Sequence, residues 1–176
     1  PYLDEVGRDP GKLHVALWRK AANGTMPDAD AQRGLDATVK LLLSLGHEVE
    51  EAEPEIDGPA LAATLTRMVS AHLTASLDLW GEQRGRPVEE SEVEPVTWAM
   101  ARNARTITGV EMARDEVTLQ LAAIAYGRMM NRFDVTLSPT ITRKPEMLGV
   151  ISLNPTDMRT FAAAIASFPA HCAFYN

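Results

Sequence analysis

The sequence predicts an α/β fold, predominantly helical with about three strands, and two observations carry that prediction. The first is a strand, a helix and a strand in close succession. Leu13-His-Val-Ala-Leu-Trp18 is β-rich. Leu35, Val39, Leu42, Leu43 and Gly46 then fall at i, i+4, i+7, i+8 and i+11, the spacing of one buried helical face. His47-Glu-Val-Glu-Glu-Ala52 is short and extended, and Pro54 ends it. Together they read as a βαβ unit, two parallel strands joined by a right-handed crossover. The second observation is a later extended run, Phe133 to Pro139, which follows a long helical stretch and can return to the same sheet.

Taken in order, residues 1–12 are a polar lead-in with a turn at Asp9-Pro10-Gly11. Arg19 to Pro27 is a loop containing Asn23-Gly24, after which Asp28 or Asp30 can accept bonds from the free N–H groups of the first helix. Gly46 can take the left-handed conformation that closes that helix. Glu55 to Pro59 is a turn, and Pro59 suits the start of a second helix. Its stripe is Leu61, Leu65, Met68, Val69, His72, Leu73, Ser76 and Trp80, with Gly81 as the expected stop and His72 as a buried or boundary residue. Gly81 to Glu94 reads as a polar, acidic loop. Glu89, Glu90, Glu92 and Glu94 lack the Asp/Asn spacing and mid-loop glycine of a calcium loop, so a solvated linker is the better reading.

Pro95 opens a third helix, with Val96, Ala99, Met100, Asn103 and Ile107 on one face. Thr108-Gly-Val-Glu111 is a capping box that starts a fourth, continuing to about Arg132. Its middle, Val117 to Ala125, is apolar on most sides and is expected to be largely enclosed; Met129 and Met130 read as packing residues. After the third strand, residues 140–149 form a loop holding Arg143, Lys144 and Pro145. Asn154, Pro155 and Asp157 then start a fifth helix with Met158, Phe161, Ala162, Ile165 and Ala166 on its stripe and Pro169 as its stop.

Composition narrows the function classes. A chain of 176 residues is long enough for one domain with a real core, burying roughly 70% of its unfolded surface. A net charge of -7, with no cluster of Lys and Arg, argues against nucleic acid as a partner. No apolar run approaches the length of a membrane span and no signal peptide opens the chain. The lone Cys172 rules out an internal disulfide and fits a reducing, cytoplasmic setting. It reads as a small packing residue rather than half of a dyad with its neighbour His171, because adjacent side chains rarely face each other.

Catalytic constellations are missing. There is no nucleophile elbow, dinucleotide loop, phosphate-binding loop or His-Glu-x-x-His. His14, His47, His72 and His171 are scattered singly, which predicts no metal site, and nothing predicts a cofactor.

Three segments carry a family resemblance. Lys12-Leu-His-Val-Ala-Leu17 is similar to a strand of the form Lys/Arg-Leu-Arg-Ile-Ala-Val in amidase-signature hydrolases. Leu45-Gly-His-Glu-Val-Glu-Glu-Ala-Glu-Pro54 resembles the segment after that family's catalytic core. Phe133-Asp-Val-Thr-Leu-Ser-Pro-Thr140 resembles its Tyr/Phe-Asp-Val-Leu-Leu-Ser/Thr-Pro-Thr strand. The order and separations fit, and the resemblance spans nearly the whole chain. It implies that residues 1–176 are a single partial domain of a larger amidase, part of a mixed-sheet fold. It also implies hydrolysis of a small-molecule carboxamide through a Ser–Ser–Lys triad set in a Gly/Ser-rich stretch.

Nothing here matches that stretch. Ser44, Ser70, Ser76, Ser91, Ser138, Ser152 and Ser167 are isolated, and Lys12, Lys20, Lys40 and Lys144 lack the family's flanking residues. The expectation is therefore a post-catalytic portion, inactive alone, with no catalytic residue of its own. Neither Pro1 nor Asn176 reads as a natural terminus. The resemblance places Pro139 and Thr140 on the substrate-cleft wall, although they could equally just end a strand. Arg143 and Lys144 stand where apolar and proline-rich residues are expected, which could favour an acidic or polar substrate. The alternative is a free-standing, non-enzymatic α/β ligand-binding or interaction domain. A different enzyme with a dispersed site is a third reading, and a homo-oligomer stays open.

Overall fold

The computed structural model describes residues 2–154, 158–168 and 171–174. Its core is a three-stranded parallel sheet in the order β2-β1-β3. Strand β1 (His14–Leu17) pairs with β2 (Glu48–Glu51) in the register Val15–Val49 and with β3 (Val135–Leu137) in the register Val15–Val135. Being central, β1 is flanked on both sides, and Val15, Ala16, Leu17 and the following Trp18 are almost wholly buried. Phe133 is buried beside it, its ring 4.5 Å from that of His14. Asp134 extends the ladder: its carboxylate accepts from the His14 N–H at 2.7 Å and its own N–H donates to the His14 carbonyl at 2.9 Å.

Helix α1 (Ala29–Ser44) makes the crossover from β1 to β2. Asp28, not Asp30, is its cap, accepting from the Ala31 N–H at 2.8 Å. Gly46, at φ 89°, turns the chain out of the helix as expected. Leu35 is buried and Val39 and Leu42 are half-buried, but Leu43 is exposed because it lies at the margin of the stripe. The glutamates of β2 and its flank are ion-paired, Glu48 with Lys12, Glu50 with Arg132, Glu51 with Arg19 and Glu53 with Lys20.

Helix α2 (Gly58–Arg84) is longer than predicted. Gly81 is not its stop: it is buried inside the helix, where the Pro87 backbone passes close by, and Gly85 at φ 75° ends it. The predicted stripe holds only in part: Leu61 is buried and Leu65, Met68 and Leu73 are half-buried, but Val69, His72, Ser76 and Trp80 are exposed. Leu61 and Thr64 are buried in the first half, but Ser70, Thr74 and Gly81, on the opposite side, are buried in the second. The reason is a change of partner. The first half packs on α4 (Gly109–Met130), where Asp115, nearly fully buried, accepts from Thr64 Oγ1 and from Arg67 Nε, each at 2.8 Å. The second half packs on α3 (Pro95–Ala104), through Thr74 Oγ1 to the Ala101 carbonyl and Arg105 to Asp78. His72, Ser76 and Trp80 are consequently exposed, and Arg84 lies 4.4 Å over the Trp80 ring.

The acidic loop is an arginine-held turn. Glu92 accepts from Arg84 and Arg86, and Arg86 together with the Glu89 N–H holds its carboxyl down to about 2. Helix α3 stops at Ala104, short of Ile107, and Asn103 is exposed rather than packed. The Thr108–Glu111 capping box starts α4 as expected, with Glu111 N–H to Thr108 Oγ1 at 3.2 Å. The middle of α4 is not enclosed. Ala122 is buried, but Val117, Leu121 and Ile124 are at least half exposed, because the sheet and α2 cover only one side of the helix. Met129 and Met130 are half-buried, and Met130 Sδ accepts from Thr136 Oγ1.

Helix α5 (Met158–Ser167) leaves Ala162, Ile165 and Ala166 exposed, contrary to the predicted stripe, since no described element packs on that side. Pro155, Asp157 and Pro169 lie outside the described residues. No described helix is long and apolar enough to cross a membrane.

One contact ties the loop after β1 to α2. A Cβ on Gly58 would lie 1.8 Å from the Ala22 carbonyl oxygen and 2.3 Å from its carbon. Backbone on both sides makes this approach unyielding. Gly58→Ala should lower unfolding stability by about 3 kcal/mol, the upper range for overpacking, as read from urea melts. Gly34→Ala, with open space around its Cβ, is the control and should cost nothing.

Candidate functional site

In an open parallel sheet, ligands bind beyond the carboxyl ends of the strands, where the chain leaves neighbouring strands in opposite directions. Here β1 is the central strand and β3 its neighbour on the side away from β2, so the carboxyl ends of β1 and β3 lie side by side. A crevice of about 360 Å³ opens there, between the end of β3 and the first turns of α1. Its apolar wall is Ala31, Leu35, Leu137, Pro139 and Ile141. Thr38, Ser138 and Thr140 add hydroxyls, and Asp30, Arg143 and Lys144 form the rim.

Both residues the sequence placed on a cleft wall, Pro139 and Thr140, border this crevice. Cys172 is half-buried and supports that edge, its Sγ donating to the Thr140 carbonyl at 2.9 Å. The contribution of α1 was not anticipated. Its signal was available: the first turn of a helix that follows a parallel strand always faces the carboxyl ends of the sheet.

The rim charges are matched. Lys144 bonds to Asp30, which also holds Arg33. Lys144 keeps the Asp30 carboxyl below its usual range, and Asp30 raises the Lys144 ammonium above its own. The Lys144 ammonium is thus engaged by the Asp30 carboxylate rather than by Ser138. Arg143 donates to Glu146 at 2.7 Å and lies 5.7 Å over the Phe168 ring.

The histidines stay apart in function. His47 Nδ1 accepts from the Leu13 N–H at 3.2 Å, and His14 contacts the Arg132 carbonyl at 2.8 Å. Among the described residues no three His, Cys, Asp or Glu side chains could hold a metal ion. His171 is the exception in environment. It is 1% exposed, lies edge-on to Trp18 with ring centroids 6.0 Å apart, and neither ring nitrogen makes a well-formed hydrogen bond. Burial lowers its pKa, only partly offset by the nearby backbone of Arg19 and Trp18.

The fold bears on identity. The family model for amidases matches residues 1–175. The chain belongs to the amidase family. Among relatives, it is 26% identical over 171 residues to the 6-aminohexanoate-cyclic-dimer hydrolase of Paenarthrobacter ureafaciens and 28% identical over 172 residues to that of Pseudomonas sp. strain NK87. Each alignment covers 95% of this chain and 35% of the relative. A lipoamidase of Enterococcus faecalis is 26% identical over 127 residues, 72% of this chain and 17% of that one. The solved structure of a 6-aminohexanoate cyclic dimer hydrolase superposes with a TM-score of 0.80 at 26% identity, over 99% of this chain and 37% of the other. A bacterial aryl acylamidase of the amidase signature family shares the fold, with a TM-score of 0.71 at 14% identity. The chain thus spans about a third of the length of the cyclic-dimer hydrolases it matches.

His171 generates a pH test. The unfolded chain binds a proton below about pH 6.5 that the folded chain refuses. The stability contributed by the neutral ring is therefore complete above that pH and declines as pH falls below it. Urea midpoints should drop between about pH 7 and pH 5 in the wild type, and His171→Phe should remove that part of the drop. Equal slopes for the two proteins would contradict the burial.

Proposed function

We propose that this chain is part of an enzyme that hydrolyses a small-molecule carboxamide, with the Ser–Ser–Lys triad outside residues 1–176, and that it walls the substrate cleft with Pro139 and Thr140. The observation that carries the reading is the family match over residues 1–175 in a chain that spans about a third of its relatives and has no Gly/Ser-rich stretch. The nature of the relatives supports the substrate class: two are 6-aminohexanoate-cyclic-dimer hydrolases, and a solved structure of such an enzyme is complexed with its substrate. The acidic balance speaks against nucleic acid, and the single cysteine agrees with a cytoplasmic setting.

The competing reading is a free-standing binding domain. The exposed side chains favour the first. Val117, Leu121 and Ile124 on α4 and Met147, Leu148 and Val150 after β3 are bare, and soluble monomers seldom expose broad apolar patches.

Two measurements test this. The 176-residue chain should hydrolyse no amide in a panel of aliphatic and aryl amides, whereas a longer chain carrying a Gly/Ser-rich segment upstream should, and a serine-directed reagent should stop it. A hydrolysis rate in the 176-residue chain that persists after all seven serines are replaced would sink the assignment. An apolar dye should also brighten on the chain, as it would not on a closed free-standing domain.

A further inference from the structure

We infer that the Asp30–Lys144 pair sets the charge selectivity of the crevice, so that it takes a neutral, mainly aliphatic segment of an amide and turns away one that carries a free carboxylate. This rests on the reading that the crevice belongs to the cleft of an amide hydrolase.

Three observations converge on it. The wall is apolar, built from Ala31, Leu35, Leu137, Pro139 and Ile141, and about 360 Å³ is room for a short methylene chain. The start of α1 faces the crevice, and a helix start ordinarily attracts an anion. Here it is already served from within, with Asp28 accepting from the Ala31 N–H and Asp30 in the first turn. The rim cations are engaged as well, Lys144 and Arg33 with Asp30 and Arg143 with Glu146. A ligand carboxylate would have to share a cation already paired with Asp30 or Glu146, so it gains little at the rim while losing hydration against the apolar wall. A methylene chain meets no such penalty and gains by burying surface. The basic residues after β3, which in the sequence suggested an acidic or polar substrate, thus act in the opposite sense once their partners are seen.

Asp30 is then the residue that decides. Asp30→Asn keeps the side chain's size but removes its charge, leaving Lys144 as an uncompensated cation at the crevice mouth, where a ligand carboxylate could pair with it. Lys144→Met removes the cation and should keep carboxylates out.

The test uses hexanamide and hexanoate, matched six-carbon probes, titrated into the isotope-labelled chain while the amide signals of Leu137, Thr140 and Lys144 are followed. In the wild type, hexanamide should shift these signals and hexanoate should bind about fivefold more weakly, the scale of one partly exposed charge. Asp30→Asn should bring the two affinities level or reverse their order. Lys144→Met, alone or combined with Asp30→Asn, should restore the preference for hexanamide. Equal binding of both probes by the wild type, or a ratio unmoved by Asp30→Asn, overturns the inference. So does the absence of any shift at the crevice, an outcome that leaves the amide-hydrolase reading standing. A clear preference for hexanamide in a protein whose longer form hydrolyses no amide would instead uphold the selectivity and remove the enzymatic reading.

Discussion

Everything in this structure hangs on one short strand being buried on both flanks and both faces. Strand β1 is four residues long, yet it hydrogen-bonds to β2 on one side and β3 on the other. Val15, Ala16, Leu17 and Trp18 are each no more than 4% exposed. Such a position tolerates no charge and no unpaired backbone group, because each would be dehydrated without compensation. The chain therefore brings two distant segments, Glu48–Glu51 and Val135–Leu137, to the same place. The helices between them are the path by which the second gets there. Parallel pairing also fixes where the strands end together, and so where the crevice lies.

The elements were legible in the sequence wherever their boundaries are local chemistry. Asp28 before a helix, Gly46 after it, Pro59 and Pro95 in first turns and the Thr108–Glu111 box each act within a turn of backbone, so the residues alone reveal them. The strands were legible because β-rich runs were bounded by Gly and Pro. What the residues could not show is which side of a helix meets a neighbour. Helix α2 changes partner halfway, so a single stripe drawn along it put His72 and Trp80 inside and missed Ser70 and Thr74. The apolar middle of α4 looked enclosed, because burial is decided by what packs on a helix and not by its composition.

The site was legible in half. Pro139 and Thr140 were expected on a cleft wall only through the family resemblance of the Phe133–Pro139 strand, and in the fold they border the crevice. Their opposite wall comes from α1, more than 100 positions earlier in the chain, and only the topology brings it there. The charges show the limit most plainly. Arg143 and Lys144 look cationic in the sequence, while in the fold Glu146 and Asp30 neutralise them. An ionisable residue's meaning for a ligand depends on its partner: Glu146 lies three positions from Arg143 and could be read locally, whereas the Lys144–Asp30 pair spans most of the chain and leaves no local signature.

The two outer strands of the sheet differ in a way that matters beyond ligand binding. Strand β2 carries Glu48, Glu50 and Glu51, and each is tied to a basic side chain, so that margin is bulky, hydrated and charged. Strand β3 offers Val135, Thr136 and Leu137, with no charge among them. Strand addition is discouraged by charged margins and invited by plain ones. Among the described residues no strand pairs with the outer margin of β3, so another strand, from this polypeptide or from a misfolded neighbour, would meet an uncharged side at β3 and a guarded one at β2. Any aggregate built by sheet extension would start on that side, and a charge placed at Val135 would protect the chain more than one placed anywhere along β2.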